Sequence, residues 1–472
     1  MKNNFEKIYL DSEKSFFDKL PQEKKEEIIS ETGNEEGAIQ QHGYELAARS
    51  MDKKEKELSL EEKEQLEKMK IGAKNVISSF SLKRTADNKK GENLLIIADS
   101  GADALMIKAL MNAGQEIAGD DCRVVVAPKT EYAAQEFGEI IGEKMKTSDA
   151  VLLVTSLSRT HSKETVELAH PSHSSEIINL LLESLALKNA FPELRKKYSP
   201  EILAKMLSER KNDEASMFPS KSRIISITNT ERKILTEGGA LENPVEMKAR
   251  IDKFAEVMKG VEKVKITSKI GSSLELDIKV RSLAKETGII DKPGTGSNFP
   301  FGEYGGAVDL AETNGVYVID GAIGMIGRPD KPIKLFIEKG KVVKIEGGES
   351  ANKLRNILEK INSEYQDKNP DDKVTNAFKL AEFSFGMNSK AFRYAEDGER
   401  ISPPTSLEAE KGLGTIHIAL GKNTIFNIER SDPDYNDIPI HIDCVAMFAT
   451  IKGIKEDGKE VEIIKDGEII CL

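Results

Sequence analysis

The sequence predicts an α/β domain with a parallel sheet, followed by an α+β domain built from antiparallel hairpins. Three observations predict it. Between Asn93 and Ser156 the continuous apolar runs LLIIADS, RVVVAP and AVLLVTS alternate with helically spaced segments, which is how strands covered on both faces read. After about residue 261 the strand-forming runs alternate in polarity and are punctuated by Gly and Asp-Gly, the pattern of hairpins. The 472 residues, 39% of them hydrophobic, exceed what one core needs and can supply two or three.

Taken in order, residues 1–90 read as a helical N-terminal extension, with helical spacing over Pro21–Ser30 and Leu60–Phe80. Ser59 and Glu62 have the spacing of a capping box at the start of the second helix. The Lys- and Glu-rich runs read as a solvated face. Residues 91–260 follow as a Rossmann-like α/β domain, with helices over Ala102–Ala113 and Tyr132–Met145. A helical insertion near residues 170–220, its helix starting at Ile177, interrupts the alternation before RIISITN resumes it. The segment DSGADAL after the first strand lacks both G-x-G-x-x-G and G-K-[ST], so no nucleotide site is predicted. Residues 261–472 form the α+β domain, preceded by a helix over Pro244–Gly260. A hairpin turns at Ile270-Gly271-Ser272 and a helix covers Ser350–Ser363.

Charge and composition narrow the function. The net charge of -11 offers no counterion-release term, which argues against nucleic acid as a partner. No run approaches the roughly 20 apolar residues of a membrane span, and no signal peptide is evident, so a soluble cytoplasmic protein is expected. Cys122, Cys444 and Cys471 are too scattered for a disulfide framework or a thiolate zinc site. With only 6 histidines, an imidazole-bound metal has few possible ligands. His161, His170 and His173 cluster in sequence, but Pro171 breaks any helix joining the last two, and they read as polar surface.

Four patches of the α+β domain carry chemistry: GSNFPFGE ending at Glu303, LAEFSFGMN around Glu382, GTIHIALGKN around His417, and HID from His441 to Asp443. Residues two apart on a strand share a face, so His441 and Asp443 can offer a nitrogen and an oxygen to one ion. Cys444 then faces away. His417 sits in an apolar strand whose Ile416 and Ile418 point to the other side, and a buried imidazole needs a partner. Glu303 follows Pro300 and Gly302 in what reads as a turn. Each of these residues alone has a structural explanation; together they form an O/N donor set suited to one or two divalent ions. The α+β domain is therefore expected to be metal-binding and catalytic.

In this order the motifs N-F-P-x-G-E, x-A-E-x-x-x-G-x-N, G-T-x-H-I-A-x-G and H-x-D resemble the thermophilic metalloprotease family, the aminopeptidase T and aminopeptidase S type of leucyl aminopeptidase. SLSRTH and SKIGSSLELDIKVR extend the resemblance, which spans approximately residues 90–470 apart from the insertion. It implies a metal-dependent aminopeptidase, a homodimer acting on peptide substrates. Glu303, Glu382, His417, His441 and Asp443 would hold two ions of zinc, cobalt or manganese, with Glu303 or Glu382 as general base. Peptidases of that family carry a tyrosine seven residues after the first histidine ligand; here that position is Thr424, and Tyr435 is the nearest tyrosine. The same superfamily includes a branch similar to the 2,5-dihydroxypyridine dioxygenases. On that alternative His417, His441 and Asp443 would hold one ferrous ion and the two glutamates would orient ligands. A third reading is a metal-binding relative without catalysis.

Overall fold

In the computed structural model the described residues are 58–85, 91–99, 102–127, 137–157, 222–228, 231–278, 283–372, 374–426, 428 and 430–472, with isolated positions in 22–29 and 162–168. The insertion near residues 170–220 and His161, His170 and His173 lie outside them, as does most of the extension before Leu58. No helix among the described residues is long and apolar enough to cross a membrane. The chain divides into two compact units, residues 1–232 with 290–298, and residues 233–289 with 299–472.

The first unit contains the predicted parallel sheet. Its strands are β1 (Leu94–Asp99), β2 (Cys122–Ala127), β3 (Ala150–Thr155) and β4 (Arg223–Thr228), joined at one edge by the later strand β8 (Gly296–Phe299) in the order β2-β1-β3-β4-β8. β1 pairs in parallel with β2 and β3, and β3 with β4. Every residue of β1 and β3 is buried, as their unbroken apolar runs require. Helix α1 (Leu60–Ser78) starts with the predicted capping box: Ser59 Oγ accepts from the Glu62 N–H and the Glu62 carboxylate accepts from the Ser59 N–H. It packs on α2 (Ala104–Ala118), which Asp103 caps. Helix α3 (Glu139–Lys146) is shorter than its spacing suggested; Tyr132 and its neighbours are outside the described residues.

The second unit is built from antiparallel strands. β5 (Val261–Thr267) and β6 (Ser273–Asp277) form the predicted hairpin. With β10 (Asp309–Ile319), β11 (Ile333–Glu338), β12 (Lys341–Glu346), β18 (Thr450–Lys455), β19 (Glu460–Lys465) and β20 (Glu468–Ile469), they make an eight-stranded sheet. A second sheet has the order β17-β16-β13-β9-β7, from β7 (Ala284–Glu286), β9 (Glu303–Gly306), β13 (Leu380–Gly386), β16 (Ile416–Gly421) and β17 (His441–Ala446). β14 (Arg393–Tyr394) and β15 (Arg400–Ile401) form a short separate pair. Glu303 opens strand β9 and so belongs to the sheet; the expected turn ends one residue before it.

The two long helices among the described residues of this unit are α4 (Pro244–Met258) and α5 (Glu349–Lys368). α5 has Gly348 at its N-cap and so no capping side chain of its own. Asp330 supplies one from outside the helix: its carboxylate accepts from the N–H groups of Glu349 at 3.0 Å and Ser350 at 2.8 Å. On α4, Phe254 meets Tyr304 and Phe385 edge to face, at 5.6 and 5.0 Å between ring centroids. This fixes which face of the five-stranded sheet is apolar.

Candidate metal centre

The register of that sheet decides what shares its other face. Directly paired residues project to the same side. Glu286 pairs with Glu303, Glu303 with Gly386, Ser384 with His417, Glu382 with Ala419, Ala419 with Asp443, and Gly421 with His441. A bulge between Leu380 and Glu382 turns Leu380 toward Leu420 on the apolar side and leaves Glu382 level with Ser384 on the polar one. Every strand therefore contributes an ionisable side chain to one face: Glu286, Glu303, Glu382, His417, and His441 with Asp443. Cys444 pairs with Ile418 on the apolar side, as expected.

Small residues on β16 leave room for the donors. Ala419 lies between Glu382 and Asp443, and Gly421 beside His441. Glu382 Oε2 lies 3.1 Å and Asp443 Oδ1 3.3 Å from His441 Nε2. The other ring nitrogen, Nδ1, is 2.8 Å from the Lys422 carbonyl, which fixes it as the protonated one. Nε2 thus sits between two carboxylate oxygens, a position filled by a proton in the metal-free site and suited to a metal ion in its place. Ser384 donates its hydroxyl to Glu382 Oε1 at 2.6 Å.

Two further donor groups overlap this one. Glu303, Glu382 and His417 place one donor atom each within 4.8 Å of one another, and so do Glu410, His417 and Asp443. Glu303 Oε1 and Glu382 Oε1 are each 3.6 Å from His417 Nε2. His417 Nδ1 and Glu410 Oε2 are buried with no hydrogen-bond partner among the described residues. All five sequence-predicted residues are therefore brought together, although the two histidines fall in different three-donor groups.

Glu410 and Lys411 were not predicted. They follow a helical turn at Ser406–Ala409, in a segment that lies directly on Gly386. A Cβ on Gly386 would collide with the Gly412 carbonyl and crowd that of Glu410. The glycine of LAEFSFGMN is the one sequence signal of this contact. Lys411, whose side chain is 5% accessible, touches Glu286 at 2.9 Å, Glu410 at 3.2 Å, and Glu303 at hydrogen-bonding distance.

Burial and mutual charge set the titration of the cluster. Burial pushes the Glu303 carboxyl up to about 7 against the pull of Lys411. Burial, reinforced by Asp443, pushes Glu410 up to about 8. Burial opposes charge on His417 and His441 but is outweighed by the facing carboxylates, Glu303 and Glu382 for His417, which rises to about 10, and Asp443 and Glu382 for His441, which rises well above its usual range. Glu382 stays well below the carboxylate range despite burial, because both imidazoles bond to it. The apo site is thus acidic groups held together by protons, which a metal would displace. His441 and Asp443 keep 24% and 22% of their side chains accessible, against 2% for His417, so the site opens at its β17 end. The Phe426 ring stands at that opening, 6.4 Å from the His441 ring. Thr424, at the family tyrosine position, directs its hydroxyl to Asp437 Oδ1 at 3.3 Å.

A solved structure titled 2,5-dihydroxypyridine dioxygenase, from Pseudomonas putida KT2440, matches with a TM-score of 0.54 at 16% identity, over 85% of this chain and 96% of the other. Wild-type AmpT from Thermus thermophilus matches with a TM-score of 0.49 at 14% identity, over 86% and 99%. No curated protein sequence matches. The sequence model of the NicX family, 2,5-dihydroxypyridine 5,6-dioxygenase, matches residues 202–448, a stretch that contains all of the site residues named above. The superfamily expected from the four motifs holds, with the sequence match on its ring-cleaving branch, and the chain belongs to the 2,5-dihydroxypyridine 5,6-dioxygenase family.

Proposed function

We propose that this chain is a metal-dependent oxygenase that opens a hydroxylated aromatic ring, using one ferrous ion held by His441, Asp443 and Glu382 beside His417. The convergence of Glu382 Oε2 and Asp443 Oδ1 on His441 Nε2 carries the metal reading; family membership supports the oxygenase chemistry. The donors fit such an ion, since nitrogen and carboxylate oxygen suit iron(II) and an open side remains. When bound, iron supplies a Lewis-acidic, redox-active centre for oxygen chemistry. The residues do the rest. The Lys422 carbonyl holds the His441 tautomer and Ser384 holds the Glu382 rotamer. Phe426 offers an apolar wall at the accessible end, suited to a flat ring. Glu303 Oε1, beside His417 Nε2, is placed to hold or release a proton.

One observation favours a second reading. The two oxygens of Glu382 face different imidazoles, as a carboxylate bridging two ions would. Two zinc, cobalt or manganese ions there would suit the aminopeptidase, with Glu303 or Glu382 as base. Anaerobic purification, metal analysis and two assays separate the readings. The oxygenase predicts one iron per chain and oxygen uptake with 2,5-dihydroxypyridine or related hydroxylated rings. Two ions per chain and release of nitroaniline from aminoacyl p-nitroanilides would overturn it in favour of the peptidase. Metal without turnover of either class would leave a non-catalytic relative.

A further inference from the structure

We infer that Lys411 takes the place of a second cation, so that the chain binds one metal ion where its donor set has room for two. The inference rests on the metal-site reading above and adds the stoichiometry of that site. An ammonium has three N–H donors, and Lys411 has three carboxylates around it, Glu286, Glu303 and Glu410, with 5% of its side chain accessible. Its charge is thus enclosed by carboxylates inside the protein.

The three overlapping donor groups differ in one respect. The group of Glu303, Glu382 and His417 and the group of Glu410, His417 and Asp443 each contain a carboxylate already bound to Lys411. The group of Glu382, His441 and Asp443 contains none. A divalent ion in either outer group would share its carboxylate with a fixed positive charge and meet that charge at short range in a buried setting, where repulsion is weakly screened. In the group of Glu382, His441 and Asp443 it meets only donors. Lys411 cannot readily swing away, because Asn388 N–H donates to its carbonyl at 2.7 Å and its segment rests on Gly386. The lysine therefore neutralises the outer carboxylates without metal and directs the ion to the end of the site that is open.

Zinc titration of the metal-free full-length protein, followed by calorimetry and elemental analysis, tests this without reference to turnover. Wild type is expected to bind one zinc per chain, Lys411→Met and Lys411→Gln a second, and Lys411→Arg one. Two tight zinc ions in the wild type would overturn the inference and count against the one-ion oxygenase as well, whereas a folded Lys411→Met that still binds one would overturn the inference alone and leave the metal site standing. No zinc in the wild type would sink the metal-site reading and the inference with it. If neither neutral variant folds, the wild-type stoichiometry decides alone.

Discussion

Ser384 and Glu382, two residues apart on β13, are joined by a 2.6 Å hydrogen bond from the serine hydroxyl to Glu382 Oε1, while Oε2 of the same carboxylate meets His441 at 3.1 Å. The bond fixes a rotamer that would otherwise be free to turn away from His441. Ser384→Ala should weaken zinc or iron(II) affinity by roughly 10- to 100-fold, the range for partners that orient a ligand. The fold should survive, because the serine faces the site and no apolar contact is lost. Competition with a chelator of known affinity measures the change; an unaltered affinity would remove Ser384 from the site's support.

Room on β16 is as necessary as the donors. Ala419→Val introduces a strand-forming residue but places two methyl groups between Glu382 and Asp443. Metal binding should fall below detection, while stability changes by no more than the ~1–3 kcal/mol of ordinary overpacking. Isothermal titration and a denaturant melt on the same preparation separate the two effects.

The buried pair of Arg393 and Glu408 holds the turn that leads to Lys411. Two bonds of 2.9 and 2.7 Å link the guanidinium to the carboxylate, and Glu408 Oε1 also accepts from the Gly239 N–H at 2.9 Å. Arg393→Met strands a buried carboxylate and should cost about 3–5 kcal/mol. Urea unfolding followed by circular dichroism reads it directly.

Asp330 gives stability a pH dependence away from the metal site. The Ser350 N–H, with further bonds from the Ser350 hydroxyl and the Glu349 N–H, lowers its carboxyl to about 2. A carboxyl depressed on folding stabilises the folded state above its unfolded value near 3.9 and loses that contribution as pH falls toward 2. Wild type should therefore melt above Asp330→Asn at pH 5, and the gap should close between pH 4 and pH 2. A gap of constant size over that range would mean the cap acts without its charge.

Much of this was legible because it depends on local order. The apolar runs of β1 and β3, the capping box at Ser59 and Glu62, and the two-residue spacing of His441 and Asp443 each express a rule that acts over a few residues. The bulge before Glu382 was not legible, since it arises from the mismatch between β13 and β16 and shows only once the strands are paired. Glu303 read as a turn residue because Pro300 and Gly302 precede it, but its place is set by pairing with Gly386. Glu410 and Lys411 belong to no motif. Their contact with the site depends on a glycine more than twenty residues upstream. Capping of α5 by Asp330 was hidden for the same reason.

A face that draws an ionisable side chain from every strand of one sheet is also a check on how that sheet was assembled. Slipping any strand by a single residue would turn its acid or imidazole to the apolar side, so a mispaired chain could still be compact and yet lack a complete binding face. Retention of an ion against a chelator would then report correct pairing of β13, β16 and β17 at once, because Glu382, His441 and Asp443 meet across them. For a cell, the same property would make metal uptake a late step of maturation, available only to chains whose register is right.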